Sequence, residues 1–289
     1  MERIRAKCAT LVGAQADDVA FVTTASQALA TLTSGLDWND GDHVLTIEHE
    51  FPNQLYAPRV REVPWERLRE SVDAHTRVVA ISEVNYASGF RPPLKELCDF
   101  LHSRGVILYI DGTQSVGALR FDVRETPVDM LAVHGYKWLN SPSGAGFTYI
   151  SPRLRDRIRP SVIGWRSHNT WMSVDDLHHG QPVFQSSAEK FEGGGLPFPV
   201  LYGMEASLDL ISHLGTQTIE DRVLQLASRV RDIMRTLGAE AIDNGSQIAS
   251  ARFPTADPSR LARELKTRRV IVAARHGYLR VSPHFYNNE

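Results

Sequence analysis

The chain has little cysteine: Cys8 and Cys98 are the two cysteines among its 289 residues. Two cysteines do not make a disulfide framework, and neither has the spacing of a metal-ligand pair. Long hydrophobic runs are also missing, since no apolar stretch approaches the roughly 20 residues that a membrane helix needs. The first residues, MERIRAKCATLVGAQ, lack the apolar centre of a secretory signal. These absences predict a reduced, cytoplasmic protein that does not enter a membrane.

Neither sign of charge dominates, because 32 Lys and Arg against 34 Asp and Glu give a formal net charge of −2. This balance gives no reason to expect nucleic acid or a membrane surface as a partner. The glycine-rich nucleotide motifs GxGxxG and GxxxxGK[ST] are absent as well. Among the histidines, His168, His178 and His179 lie in a polar stretch without an HExxH pattern. We interpret them as solvated loop residues and predict no metal site.

Short apolar runs alternate with helical patterns over the first two-thirds of the chain. The runs are rich in Val, Ile, Phe and Tyr and nearly continuous, which is typical of strands covered on both faces. The strand candidates are 19–23, 43–48, 77–84, 106–111, 129–135 and 146–151. Helices are predicted after TTASQ and from Pro93, where Leu94, Leu97, Cys98 and Leu101 share one face. The pattern predicts an α/β fold with a mostly parallel sheet flanked by helices.

The remaining third of the chain predicts a second, smaller unit. Residues 152–199 are polar, contain prolines and end near the run EGGG. A long amphipathic helix then begins near Thr218 and is predicted to turn six apolar residues inward: Ile219, Val223, Leu226, Val230, Ile233 and Leu237. A strand (248–253), a helix (258–267) and two strands (270–274 and 278–282) follow. We therefore predict a large domain over 1–199 and a small α/β domain over 200–289.

Polar residues cluster where the predicted strands end. In open parallel sheets, ligands bind beyond the carboxyl ends of the strands. The polar residues at these ends are 24–26, 48–54, Asn85, 111–114 and 134–137. We therefore expect a single site to gather them.

Asp111 and Lys137 end consecutive strand candidates, 26 residues apart. A carboxylate after the apolar run VILYI needs a cation or donors, although a helix N-cap would also explain it. A lysine between Tyr136 and Trp138 is partly desolvated, which lowers its pKa and makes the amine a nucleophile toward carbonyls. Taken alone, Lys137 is better interpreted as a surface lysine. Together the two residues match pyridoxal phosphate (PLP), which needs a lysine for its Schiff base and an acid to keep its pyridine nitrogen protonated.

The segment VTTASQALATL predicts a strand, a tight polar turn and a helix that opens at Ala25 and Ser26. The free backbone N–H groups of the first turn, the helix dipole and the Ser26 hydroxyl suit a phosphate group. The alternative is that Ser26 is a plain N-cap.

Six segments resemble, in order, the successive motifs of the class V aminotransferase family. They are DVAFVTTASQALATL, EHEFPNQLY, NYASGFRPPLKELCDFLHSRGVILYIDGTQSVGALRFDV, DMLAVHGYKWLNSPSGAGFTYI, KFEGGG and LRVSPHFYNNE. The family consists of fold-type I PLP enzymes and includes cysteine desulfurases, kynureninase and isopenicillin N epimerase-like proteins. The resemblance implies a homodimer with shared active sites, PLP as cofactor and an amino acid as substrate.

The resemblance also implies a role for each matching residue. Lys137 matches the Schiff-base lysine, and Asp111 matches the partner of the pyridine nitrogen. Gln114 and Asn85 match residues near the cofactor's phenolic oxygen and the substrate. The remaining matches are Ala25, Ser26, His134 and Tyr136 at the phosphate, Phe51 (rather than His49) stacked over the cofactor, and Arg280 at the substrate α-carboxylate.

Some residues depart from the family pattern. Gly195 stands where many relatives carry a threonine that reaches the phosphate of the neighbouring subunit. Neither cysteine lies near RHGYLRVSPHF, where desulfurases carry their sulfur-accepting cysteine. Together with His134 and Tyr136, this favours the kynureninase- and epimerase-like side. Both ends look short against the family, as in a fragment, a wrongly assigned start or a degenerate copy.

The reaction itself stays open at this point, because transamination, elimination and racemisation share the same binding residues. We predict an aminotransferase first and a C–S lyase or epimerase second. A non-catalytic relative that keeps the fold as a binding module is the alternative from another class.

Overall fold

A computed structural model of the chain describes residues 1–176 and 180–288; the predicted loop histidines His178 and His179 lie outside these residues. Within them, seven strands form one sheet in the order β1-β7-β6-β5-β4-β2-β3. The strands are β1 (Val19–Val22), β2 (His43–Ile47), β3 (Val60–Val63), β4 (Thr76–Ser82), β5 (Ile107–Asp111), β6 (Met130–His134) and β7 (Gly146–Ile150). All six strands predicted in this part of the chain are present.

The sheet is parallel from β6 through β5, β4 and β2 to β3. The strand β7 runs antiparallel to both β6 and β1. The carboxyl ends of β1, β2, β4, β5 and β6 therefore share one edge of the sheet, which is where ligands bind in such folds.

Helices cover both faces of this sheet and build two apolar cores. The predicted stripe of Leu94, Leu97, Cys98 and Leu101 is buried on one face. On the other face, Ala28, Leu29 and Leu32 pack against the sheet. The helices are α1 (Glu2–Val12), α2 (Ala25–Gly35), α3 (Pro52–Leu55), α4 (Leu68–Ser71), α5 (Leu94–His102), α6 (Pro152–Arg155), α7 (Phe198–Leu214), α8 (Thr216–Thr236) and α9 (Pro258–Thr267).

Four antiparallel strands form a second, small sheet in the order β10-β11-β9-β8. The strands are β8 (Glu240–Ala241), β9 (Ala249–Arg252), β10 (Ala273–Arg275) and β11 (Tyr278–Val281). Met234 of α8, Ala251 and Leu279 form its core, with Leu261 and Leu265 of α9 packed against it. The mostly parallel large sheet and this small α/β unit confirm the predicted fold class.

The helices α7 and α8 link the two parts of the chain. Leu201, Met204 and Leu208 of α7 are buried in the same core as the large sheet, and so are Ile219 and Val223 of α8. We therefore propose that the boundary between the predicted domains lies within α8 rather than after residue 199.

The structure corrects two details of the predicted second unit. In α8, Ile233 is 50% exposed and Leu237 is 69% exposed, so neither turns inward. The small sheet instead covers the face that carries Met234. The strand predicted over 270–274 begins only at Ala273; Val270 and Ile271 lie exposed in the irregular segment that follows the turn after α9.

Candidate active site

A cavity of about 150 Å³ lies at the carboxyl edge of the large sheet. It is lined by residues from four of the predicted clusters and from the loop after β4. The lining residues are Thr24, Ala25, Ser26, Phe51, Asn53, Ser82, Tyr86, Asp111, Thr113, Gln114, His134, Tyr136 and Lys137. The structure thus brings together eight of the ten residues that the sequence predicts for the site.

One wall of the cavity is the start of α2. Thr24 caps the helix, since its hydroxyl oxygen accepts the backbone N–H of Gln27 at 3.1 Å. The buried Tyr109 hydroxyl donates to the carbonyl of Ala25 at 3.1 Å and fixes the first turn against β5. The amides of Ala25 and Ser26 have no partner inside the helix because of their position in its first turn. The Ser26 hydroxyl donates to Oδ1 of Asn53 at 2.6 Å. This wall can therefore bind an anion through its free amides and the helix dipole, and through the Ser26 hydroxyl once it turns away from Asn53.

Asp111 ends β5 and is buried at the cavity floor. Its Oδ1 accepts the backbone N–H of Thr113 at 2.9 Å, and its Oδ2 accepts Nε2 of Gln54 at 3.4 Å. Within residues 1–176 and 180–288, the carboxylate forms no ion pair. Its partners are neutral, so it can still accept a proton-bearing cationic nitrogen from the cavity.

Lys137 follows β6 and is half-buried beside two rings. Its Nζ lies 5.7 Å from the ring centre of Phe51 and 5.5 Å from that of Tyr136. Burial lowers the pKa of Lys137; the carboxylate of Asp111 opposes this shift, and Arg280 adds to it. An amine with a lowered pKa has a larger neutral, nucleophilic fraction near neutral pH.

The residues that flank Lys137 hold it in place. Trp138 is buried, stacks on His284 with ring centres 4.8 Å apart, and donates from Nε1 to Oε1 of Gln114 at 3.5 Å. The ring of His134 packs edge-on against Tyr136 at 4.3 Å. Burial, and then Lys137, lowers the pKa of His134, so the imidazole favours its neutral form.

The aromatic wall of the cavity is Phe51. Its ring meets Tyr86 edge-on at 5.3 Å and faces the cavity. His49 lines a neighbouring cavity of about 210 Å³ instead, and its ring lies 4.9 Å from that of His276. Its positive φ of 62° turns the chain so that Phe51, not His49, reaches the site.

Asn85 does not line the cavity, which differs from the sequence prediction. Its Nδ2 donates to the carbonyl of His49 at 2.9 Å, and its Oδ1 accepts the backbone N–H groups of Ala87 and Ser88 at 3.0 Å each. The carboxamide is thus occupied in holding the turn after β4. That turn points Tyr86, the next residue, into the cavity.

Arg280 comes from the small sheet and lies next to the site rather than in the cavity wall. Its Nη1 donates to the carbonyl of Tyr86, and its buried Nε has no hydrogen-bond partner among the described residues. Burial lowers the pKa of Arg280, and Arg275 adds to this effect. A buried guanidinium with unused donors is suited to a carboxylate.

Sequence reasoning missed Tyr86 and Ser82 as lining residues. Ser82 looked like part of an ordinary strand, and Tyr86, although it lies in the segment that begins NYASGF, was assigned no role. The signal that could have found them is position. Both lie at the carboxyl end of β4, between the predicted polar groups 48–54 after β2 and 111–114 after β5.

The two cysteines lie away from this cavity. Cys8 of α1 and Cys98 of α5 are buried in the large core. Burial raises the pKa of both thiols, that of Cys98 to about 12. A buried thiol with a raised pKa is a poor nucleophile.

Gly195 lines a different, smaller cavity with Thr23 and Gln27.

The parallel sheet, the lysine and carboxylate at adjacent strand ends and the anion-binding helix start define a class of α/β enzyme that binds a phosphorylated ligand. The sequence model of the aminotransferase class-V family matches residues 1–285. The chain therefore belongs to this family, as its motifs predicted. In the part of the chain that is described, no helix is long and apolar enough to span a membrane.

Individual relatives agree with this assignment. An uncharacterized aminotransferase YcbU of Bacillus subtilis is 27% identical over 303 residues, covering 100% of this chain and 80% of the relative. A probable cysteine desulfurase of Methanothermobacter thermautotrophicus is 26% identical, covering 99% of this chain and 80% of the relative. The structure of a lysine-to-alanine variant of C-DES, with glycine covalently linked to its PLP cofactor, has a TM-score of 0.85 and 22% identity. The match covers 100% of this chain and 82% of the C-DES chain.

Proposed function

We propose that the protein is a PLP-dependent enzyme that acts on the α-carbon of an amino acid. We propose transamination as its reaction, ahead of the lyase and epimerase alternatives. The observation that carries the proposal is the placement of Lys137 and Asp111 in one cavity beside the start of α2. The class-V family membership supports the same cofactor and reaction class.

The residues of the cavity fit PLP chemically. The helix start at Ala25 and Ser26 offers donors for a phosphate, and His134 and Tyr136 lie beside it in the cavity wall. The buried, neutral-partnered carboxylate of Asp111 suits a protonated ring nitrogen. Phe51 offers an aromatic face, and Gln114 lines the same cavity as Asp111 and Lys137. Lys137 would hold the cofactor covalently, because burial lowers the pKa of its amine and so enlarges the neutral, nucleophilic fraction.

When bound, PLP supplies an electron sink that stabilises a negative charge on the substrate α-carbon. Asp111 would keep the ring nitrogen protonated, since an anionic carboxylate raises the pKa of a cationic acid beside it. The Lys137 amine, with its lowered pKa, would accept the α-proton of the substrate and return it to another atom. Arg280 would hold the substrate α-carboxylate.

The alternative within the family is a C–S lyase or an epimerase. The similarity to the probable cysteine desulfurase and to C-DES favours sulfur chemistry. The positions of Cys8 and Cys98, both buried away from the cavity, oppose any reaction that transfers sulfur to an enzyme thiol. An elimination that releases the sulfur product into solution needs no such thiol. The lyase alternative is therefore an elimination of this kind.

We also propose that the protein acts in the cytoplasm as a homodimer with shared active sites. Unpaired, buried thiols are consistent with a reducing compartment. An exposed apolar group on one stretch of the chain supports an interface. Its members are Val162, Ile163, Trp165, Met172, Val174, Val183, Phe198 and Tyr202.

Purified protein loaded with PLP and mixed with single amino acids tests the reaction. Transamination would give the keto acid and, with a second keto acid, a new amino acid. Elimination would give a keto acid together with free ammonia, and sulfide from a sulfur-containing substrate, without a second keto acid. Epimerisation would give the inverted substrate. The absence of all these products, together with a protein that takes up no PLP, would support a non-catalytic relative instead.

A further inference from the structure

A buried chain of hydrogen bonds leads from Glu50 to Asp111. Oε1 of Glu50 accepts the backbone N–H of Ser82 at 2.7 Å, and Oε2 accepts the Ser82 hydroxyl at 2.6 Å. Oγ of Ser82 in turn accepts Nε2 of Gln54 at 3.4 Å. The same Nε2 donates its second proton to Oδ2 of Asp111, also at 3.4 Å. All four residues are buried.

The direction of the donors in this chain is set by Glu50. When Glu50 is ionised, both its carboxylate oxygens accept, so the Ser82 hydroxyl donates toward Glu50 and presents its lone pairs to Gln54. Gln54 then turns its NH₂ group toward Ser82 and Asp111. The reverse amide orientation would set the Gln54 carbonyl oxygen against the Asp111 carboxylate, which is repulsive.

This orientation leaves Oε1 of Gln54 buried and without a hydrogen-bond partner among the described residues. Buried polar atoms are nearly always partnered, so an exception calls for a reason. The reason offered by the geometry is the position of the NH₂ group, which the chain from Glu50 holds on Asp111.

Glu50 also fixes the opposite side of the cavity. Its Oε2 accepts the backbone N–H of Phe51 at 3.2 Å, and Phe51 lines the cavity. Ser82 and Asp111 are paired in register on adjacent parallel strands, so they lie side by side at the same edge of the sheet. One buried carboxylate therefore orients both Asp111 and the aromatic wall.

We propose that Glu50, Ser82 and Gln54 form a positioning relay that orients the Asp111 carboxylate toward the ring nitrogen of PLP. The catalytic consequence of the relay rests on the proposed function. Its effect on the Asp111 carboxylate does not, and is present in the protein without cofactor. None of the three residues is needed to hold the cofactor phosphate or the substrate carboxylate. The relay should therefore affect kcat far more than KM.

The matched control is Glu83, the residue after Ser82. Glu83 is equally buried, and burial raises the pKa of both Glu50 and Glu83 to about 7. The carboxylate of Glu83 pairs with Arg91 at 3.3 Å and lines a separate cleft. Glu83→Gln thus repeats the loss of a buried carboxylate without touching the relay.

The first measurement is a carbon-13 NMR titration of the Asp111 carboxyl in protein without PLP, assigned by comparison with Asp111→Asn. Gln54→Leu removes the donor to the charged form, so we expect the pKa of Asp111 to rise. This variant leaves unchanged the titratable groups that interact with Asp111, which are Glu50, Tyr109, His134, Tyr136 and Lys137. Ser82→Ala should shift the titration in the same direction by less, and Ser82→Thr should restore it. Glu83→Gln should leave it unchanged.

The second measurement uses the loaded enzyme. In Gln54→Leu and Glu50→Gln we expect kcat to fall roughly tenfold with KM within about twofold, since a misplaced catalytic group lowers rate at unchanged binding. An Asp111 titration that is unchanged in both Gln54→Leu and Ser82→Ala, or an equal change in Glu83→Gln, would overturn the relay. A protein that binds no PLP but shows the Asp111 shift would overturn the proposed function and leave the relay standing.

Discussion

Lys137 and Asp111 line the same cavity without forming an ion pair, although the carboxylate of Asp111 opposes the burial that lowers the pKa of Lys137. The carboxylate is held by the Thr113 amide and by Gln54, and the amine lies against two rings. A direct ion pair would keep Lys137 protonated and would block the carboxylate. Their separation leaves each free for a different end of a ligand placed between them.

Replacing Lys137 by alanine should remove the covalent link to PLP. We expect the loaded native protein to show a near-visible absorbance band that borohydride reduction fixes to the chain, and Lys137→Ala to lack this fixed label. Turnover should fall by about 10²–10⁴-fold, the usual contribution of a positioned acid–base group. Absorbance spectra and mass spectrometry of the reduced protein check this.

The control for this substitution is Lys95→Ala, because Lys95 is an exposed lysine of α5. It should keep both the borohydride label and the turnover of the native protein. If Lys137→Ala kept the borohydride label and replacement of a different lysine removed it, the attachment site would lie at that other lysine.

The burial that lowers the pKa of Lys137 should also be visible in stability without PLP. The unfolded chain binds this proton up to about pH 10.5, while the folded protein releases it at lower pH, so the free energy of unfolding rises with pH in that window. Lys137→Met removes the buried charge and should raise the Tm at pH 7 by about 2 °C.

The difference in Tm between Lys137→Met and the native protein should shrink as the pH rises toward 10, because folded Lys137 releases its proton below the unfolded value of 10.5 and the cost of the buried charge then falls. Thermal unfolding followed by circular dichroism at pH 7 and pH 10 measures it. A difference that stays constant over this range would contradict a lowered pKa at Lys137.

The sequence predicted the large sheet well because its strands are continuous apolar runs that end in polar residues. Asp111 and Lys137 could be paired from sequence since consecutive parallel strands place their ends together. Asn85 could not be judged this way. Its position at a strand end is as expected, but a local turn occupies its carboxamide, and no spacing rule reports a side chain's direction.

The elements that sequence reasoning missed have weak patterns. The helix α7 (Phe198–Leu214) has six buried residues amid an apolar sequence, so its periodicity is faint. The edge strand β3 (Val60–Val63) carries Arg61 and Glu62 on its exposed middle. In α8, the 3.6-residue pattern continues past the point where the partner surface ends, which is why Ile233 and Leu237 lie in solvent.

Arg280 should act on substrate binding rather than on chemistry. Arg280→Lys keeps the charge but loses the paired donors, so the KM for the amino acid should rise about 10–100-fold while kcat changes little. Steady-state kinetics measures the split, and binding of PLP by fluorescence should be unchanged. A fall in kcat at constant KM would assign Arg280 to the reaction step instead.

Neither cysteine should be needed for turnover. Cys8 and Cys98 are buried, and burial raises the pKa of both thiols, so their thiolate fraction near pH 7 is small. The double variant Cys8→Ala with Cys98→Ala should keep kcat/KM within about threefold once folded, as for any site remote from the chemistry. Persulfide detection on the native chain by mass spectrometry after incubation with cysteine gives an independent check, and a persulfide at either position would restore the desulfurase alternative.

Glu83 should make the protein without PLP less stable as the pH rises toward neutrality. Burial raises its pKa from 4.5 to about 7, so between these values the folded state keeps a proton that the unfolded chain has lost. The free energy of unfolding therefore falls as the pH rises through this window, by about 3 kcal/mol if the whole shift is expressed.

Glu83→Gln removes this titration and should flatten the profile between pH 4.5 and 8, which urea unfolding at several pH values measures. Arg91→Gln, which removes the cation facing Glu83 at 3.3 Å, should extend the fall in stability to higher pH, because loss of Arg91 raises the pKa of Glu83 further. Equal slopes in all three proteins would show that Glu83 titrates normally in the folded state.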